Sequence, residues 1–154
     1  MVLRDLDLLS EFEWVRVGMS ITTVPSRQFE PGVPPIERRI ETLKKLCLAG
    51  MRTWVSLAPV IPGIMIVDFD KLFERLSEAG VSSVSFGVLR FTGYEESKAM
   101  FEAASGMSTA EALAGREEVV AKLRYLVRQH GMDPSEEMKW RPGPSDGDSL
   151  DVFL

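Results

Sequence analysis

The chain reads as an α/β protein built on three parallel strands with helices on one face, and three observations predict it. Residues 53–63, TWVSLAPVIPG, form an apolar and small-residue run closed by Pro62-Gly63. A run of that length bounded by turn signals suits a strand buried on both faces, as in parallel sheets. An amphipathic helical pattern precedes it and another follows it, which makes it the middle strand of a βαβαβ series. Two further segments, 14–22 and 81–91, supply the flanking strands.

In chain order, residues 3–12 fit a short helix with Leu6, Leu9 and Phe12 on one stripe and Asp5 and Asp7 near its start. Residues 14–22 alternate, with Val15, Val17, Met19 and Ile21 on one face and Arg16, Gly18, Ser20 and Thr22 on the other. A Pro/Gly/Ser loop occupies 24–35, and Pro34-Pro35 suits the first turn of a helix reaching Ala49. Its stripe is Ile36, Ile40, Leu43 and Cys47, with Leu46 beside it and Gly50 as the stop. Asp68 caps the next helix, which buries Leu72, Phe73, Leu76 and Ala79 and ends at Gly80. In the third strand, Val84, Phe86 and Val88 oppose Ser83, Ser85, Gly87 and Leu89. Residues 94–104 are helical, Ser108–Glu111 form a capping box, and 116–129 form a helix with Val119, Leu123, Leu126 and Val127 inward and Gly131 as its stop. Residues 1–132 therefore form the α/β domain. Residues 133–154 read as a partly mobile tail, rich in Pro, Gly, Ser and acids, whose apolar end 150–154 is able to dock back.

A chain of 154 residues fits one domain with a sizeable core, and 45% hydrophobic against 27% charged content is ordinary for a globular protein. No apolar run reaches the ~20 residues of a membrane helix, and the start lacks a signal-peptide pattern. A single cysteine excludes a disulfide framework and, with those features, points to the cytoplasm. The net charge of −5 argues against a surface that coats nucleic acid.

The strand faces differ in kind. One carries branched and bulky residues for the helices to cover. The other carries Gly18, Ser20, Thr22, Ser56, Ala58, Ser83, Ser85 and Gly87, small and polar residues that suit a ligand cavity. A sheet face thinly covered by the C-terminal helices is the plainer alternative.

Six segments carry a family resemblance: RDLDLL at 4–9, VGMSITT at 17–23, EP at 30–31, ERR at 37–39, LAPVIPG at 57–63 and VLR at 88–90. In this order they resemble the radical SAM enzymes, most closely the spore photoproduct lyase-like (DNA repair photolyase-like) branch. The resemblance runs through residues 3–91. It implies a partial (βα) barrel fragment, the later half of a TIM-like barrel, with the three strands as barrel strands 4, 5 and 6. It also implies S-adenosylmethionine as cofactor. The family's [4Fe–4S] cluster sits on a CxxxCxxC motif in the half that this sequence lacks, and Cys47 cannot replace three thiolates.

By the same resemblance, Ser20 and Thr22 correspond to ribose-contacting positions. Val60, Ile61 and Gly63 match the motif beside adenine, and Leu89 and Arg90 the last strand end near it. Arg38 or Arg39 suits the methionine carboxylate, which a guanidinium binds in bidentate fashion. Each residue has a structural alternative: Ser20 and Thr22 as small strand residues, Arg38 and Arg39 as a solvated face, Val60 and Ile61 as core, and Pro62-Gly63 as a turn. Cys47 reads as a small buried hydrophobe, and His130 as a helix-end residue without a catalytic role. No catalytic and no metal-binding residue is assigned.

The function expected is thus that of the C-terminal half of a radical SAM enzyme, inactive alone. A non-catalytic adenosyl- or nucleotide-binding module, or a self-associating interaction module, is the alternative. Expected partners are a second copy, paired along the free edge of strand 14–22, or a separate chain supplying the N-terminal half-barrel. Nucleic acid enters by family analogy only, and no membrane is expected.

Overall fold

In the computed structural model, residues 2–23, 30–65, 67–91 and 95–133 are described in full, and 149–153 as backbone. The sheet contains β1 (Trp14–Ser20), β2 (Arg52–Val60), β3 (Ser83–Val88) and β4 (Ser149–Phe153), ordered β3-β2-β1-β4, with every neighbouring pair parallel. The first three are the predicted strands. β4 is the addition. The C-terminal segment does return, and it docks as a strand on β1, with Trp14 opposite Ser149 and Gly18 opposite Phe153. The edge of β1 expected to be free is therefore paired, which corrects the stated basis for dimerisation there. Residues 134–148 and 154 of the predicted tail lie outside the described residues.

The helices are α1 (Leu6–Leu9), α2 (Ile36–Leu48), α3 (Phe69–Glu78), α4 (Glu95–Ser105), α5 (Thr109–Ala112) and α6 (Arg116–Gln129). The first is shorter than expected. A 3-10 turn, Val2–Asp5, leads into one α-helical turn, so Phe12 leaves the stripe and is exposed. A segment this short holds by docking Val2 and Leu9 on Val15, Val17 and Leu46, not by its own hydrogen bonds. No helix among the described residues is long and apolar enough to cross a membrane.

Packing follows the predicted periodicities. Met19, Ile21, Val55, Leu57 and Val84 meet Ile40 and Leu43 of α2, Leu72, Phe73 and Leu76 of α3, and Leu123, Leu126 and Val127 of α6. Asp68 caps α3 by accepting from the amides of Asp70 at 3.1 Å and Lys71 at 3.3 Å. The same helix ends at Gly80, whose φ of +83° only glycine adopts cheaply, and the Val81 N–H closes the end on the Leu76 carbonyl.

The capping box of α5 is present. The Ser108 hydroxyl donates to Glu111 at 2.6 Å, the Ser108 amide donates to the same carboxylate at 2.9 Å, and Glu111 N–H returns a bond to Ser108 Oγ at 3.2 Å. The bond from the Ser108 hydroxyl, then that from its amide, holds the Glu111 carboxyl below its ordinary value, against a small opposing effect of desolvation. A lowered folded-state pKa contributes stability above the unfolded value, near pH 4.3, and loses it as pH falls through the folded one. Acidification should therefore loosen α5 first. An NMR titration should show Ser108 and Glu111 amide shifts following the carboxyl, and Glu111→Gln should abolish that titration.

Candidate functional site

Ligands of parallel α/β sheets bind at the carboxyl ends of the strands. At that rim, the chain leaving β1 carries Thr22, buried, and Thr23, fully buried. The Thr22 hydroxyl donates to Glu30 Oε2 at 2.9 Å. Arg39 of α2 reaches the same carboxylate, with Nη2 donating to Glu30 Oε2 at 2.8 Å. Its Nη1 donates to the Ser20 carbonyl at 2.9 Å and its Nε to the Pro34 carbonyl at 2.7 Å. Only 6% of the Arg39 side chain is exposed, against 23% of Glu30. One guanidinium thus ties the end of β1, the incoming loop and the start of α2 together.

The predicted residues separate into two groups. Ser20, Thr22 and Arg39 come together around Glu30, which sequence reasoning left unassigned. Its signal was the Glu-Pro dipeptide in a loop otherwise short of acids. Arg39 and the Thr22 hydroxyl proton are spent inside the protein, whereas Arg38 and Arg90 have exposed side chains. The second group lies at the ends of β2 and β3. Ile61 is buried with Ala112, and Ile64, Leu89, Phe101 and Met107 pack against that pair. Val60 is wholly buried in the main core and faces Val88 across the strand pair.

Gly63 serves a close approach to helix α5. A Cβ there would lie 2.4 Å from the Glu111 carbonyl oxygen and 3.0 Å from the Ala112 Cα. Cys47 is partly buried on α2, with its sulfur 3.1 Å from Thr53 Oγ1, at a distance in sequence and role from the rim.

The polar face of the sheet departs from expectation. Trp54 projects from the same face as Gly18, beside it in register, and is itself buried. A Cβ on Gly18 would lie 2.3 Å from the indole. The glycine exists to seat that ring, so this part of the face is filled and not an open cavity. Ser56, Ser83 and Ser85 are likewise buried. A groove of about 280 Å³ lies instead at the opposite, amino-terminal rim, between Ser10–Val15 and Ala49–Arg52. There the Arg52 guanidinium stacks 4.1 Å above the Trp14 ring.

No family model and no solved structure matches the chain. An uncharacterized protein of Methanocaldococcus jannaschii is 33% identical over 72 residues, which is 45% of this chain and 28% of that protein. An uncharacterized protein of the Acidianus two-tailed virus is 32% identical over 93 residues, 54% of this chain and 31% of that one. The chain thus matches about three tenths of the length of these curated relatives.

Proposed function

We propose that the chain is the later half of a radical SAM-type (βα) barrel, of the spore photoproduct lyase-like branch, contributing the adenosyl side of an S-adenosylmethionine pocket. The observation that carries this reading is the common rim. Ser20, Thr22, Val60, Ile61, Leu89 and Arg90 all fall at the carboxyl ends of three consecutive parallel strands. Leu89, half-buried over Ile61, offers an apolar patch to a base, and the exposed Arg38 and Arg90 offer cations to a carboxylate. The [4Fe–4S] cluster does not fit this chain, which has one thiolate, placed on α2 beside Thr53. Reductive chemistry would therefore need cysteines from outside these 154 residues, which are inert by themselves.

Two results are expected. Anaerobic reconstitution with iron and sulfide leaves the protein colourless, with no cleavage of S-adenosylmethionine; a cluster that survives Cys47→Ser would overturn this. S-adenosylhomocysteine shifts the amide signals of Ser20, Thr22, Ile61 and Arg90 with millimolar or weaker affinity, about −4 kcal/mol, because half the pocket is absent. Unshifted signals at 10 mM ligand would sink the adenosyl reading. The alternative, an interaction module without a ligand, draws on the internal satisfaction of Arg39 and Thr22, and it becomes the preferred reading in that event.

A further inference from the structure

Among the described residues the sheet runs from β4 on one side to β3 on the other, and the β3 backbone is paired on its outer side only at its start. Asp133 N–H donates to the Ser82 carbonyl at 3.1 Å, and Val84 N–H donates to the Asp133 carbonyl at 3.3 Å. The Val84 N–H therefore points to the outer edge, although its side chain is in the core, while Leu89 N–H turns inward to the Val60 carbonyl at 2.9 Å. Strict alternation along β3 then places the N–H and C=O groups of Phe86 and Val88 on the outer side. No described residue pairs with them. Ser83–Val88, SVSFGV, holds no charge and no proline, the usual devices that keep an edge solitary.

We propose that the β3 edge is a dimer site whose occupant is the β3 strand of a second copy, paired antiparallel about a two-fold axis through Phe86. The free groups are self-complementary in that arrangement. Each Phe86 exchanges both bonds with its counterpart, and each Val88 N–H donates to the other copy's Val84 carbonyl, whose own N–H stays with Asp133. The two-fold axis uses up both β3 edges at once, so this contact ends at two copies and an eight-stranded sheet with β4 at each end, the closed symmetry common among oligomers. The exposed Gly87 sits opposite Ser85 of the other copy in this register, and its nearest neighbour within its own chain is the Ala58 Cβ, 3.8 Å from where a Cβ would stand. The site is independent of any ligand at the carboxyl rim, so it stands or falls apart from the radical SAM reading.

Sedimentation velocity on the full chain, from ~10 μM to ~1 mM, is the test. The 17.2 kDa chain should double in mass across that range. Val88→Pro removes an outward donor without touching the inward ladder, and Gly87→Lys sets charge against the join. Each should raise the dimer dissociation constant at least tenfold while circular dichroism stays that of the wild type. Because Val88 also packs on the core, Gly87→Lys is the deciding variant should Val88→Pro unfold. A wild type that stays monomeric at 1 mM, or a folded Gly87→Lys protein that dimerises as the wild type does, overturns the proposal.

Discussion

Arg39→Met should lower the unfolding free energy by about 3 kcal/mol, the low end of the range for removing one partner of a buried ion pair. The guanidinium is nearly sealed, and its three bonds run to the Ser20 and Pro34 carbonyls and to Glu30. The partial exposure of Glu30 lets water take over one acceptor, which sets the estimate at the low end. Arg39→Lys should recover little, since an ammonium on a flexible stem cannot serve three acceptors held by a planar fork. Urea denaturation of Arg39→Met, Arg39→Lys and Glu30→Gln, and of Arg39→Met combined with Glu30→Gln, tests this. The double variant should cost less than the sum of its parts, because the second change removes the carboxylate that the first strands. A loss under 1 kcal/mol for Arg39→Met would mean that this arginine does not hold the rim together.

Gly18→Val should cost about 3 kcal/mol, the upper part of the usual range for overpacking. Even the first added carbon falls 2.3, 2.4 and 2.5 Å from three atoms of the Trp54 indole, so the ring must leave its place or the strands must part. Flanking strands β2 and β4 hold β1 from both sides, which leaves the ring as the part that yields. The near-ultraviolet circular dichroism of Trp54 should therefore weaken before the far-ultraviolet signal does. Pairing Gly18→Val with Trp54→Leu should return part of the loss. Failure of that rescue, with the single variant as stable as the wild type, would place the indole elsewhere.

Much of this architecture was legible in the sequence because local signals and tertiary packing agree. The alternation of Val15, Val17 and Met19, the stripe Leu72, Phe73 and Leu76, the Asp68 cap and the Ser108 capping box each point to the arrangement they adopt. What stayed hidden depends on partners far along the chain. Trp54 sits inside an apolar run, where one more large residue gives no sign of which face it takes; only its register with Gly18 decides that. Glu30 is the one acid of the loop 24–35, but nothing local says what it binds until Arg39 and Thr22 converge on it. Gly63 reads in the sequence as a turn or a ligand contact, and its close approach to Glu111 depends on a segment nearly fifty residues further on. The short apolar end of the chain has no amphipathic period to betray that it pairs with β1.

That last pairing bears on the order in which the protein is made. β1 leaves the ribosome early and finds β2 and α2 within the next few dozen residues. Its other side pairs with residues 149–153, which emerge only after all the other described elements. Contacts so distant in sequence form late and slowly, since the closure of a long loop must precede any gain from them. Until they emerge, the nascent chain displays an unpaired edge on Trp14–Ser20, and residues 149–153 then cover it. A ribosome stalled before residue 149 would hold a protein whose helices and core are in place but whose sheet is still adhesive at β1, the state on which a chaperone would act.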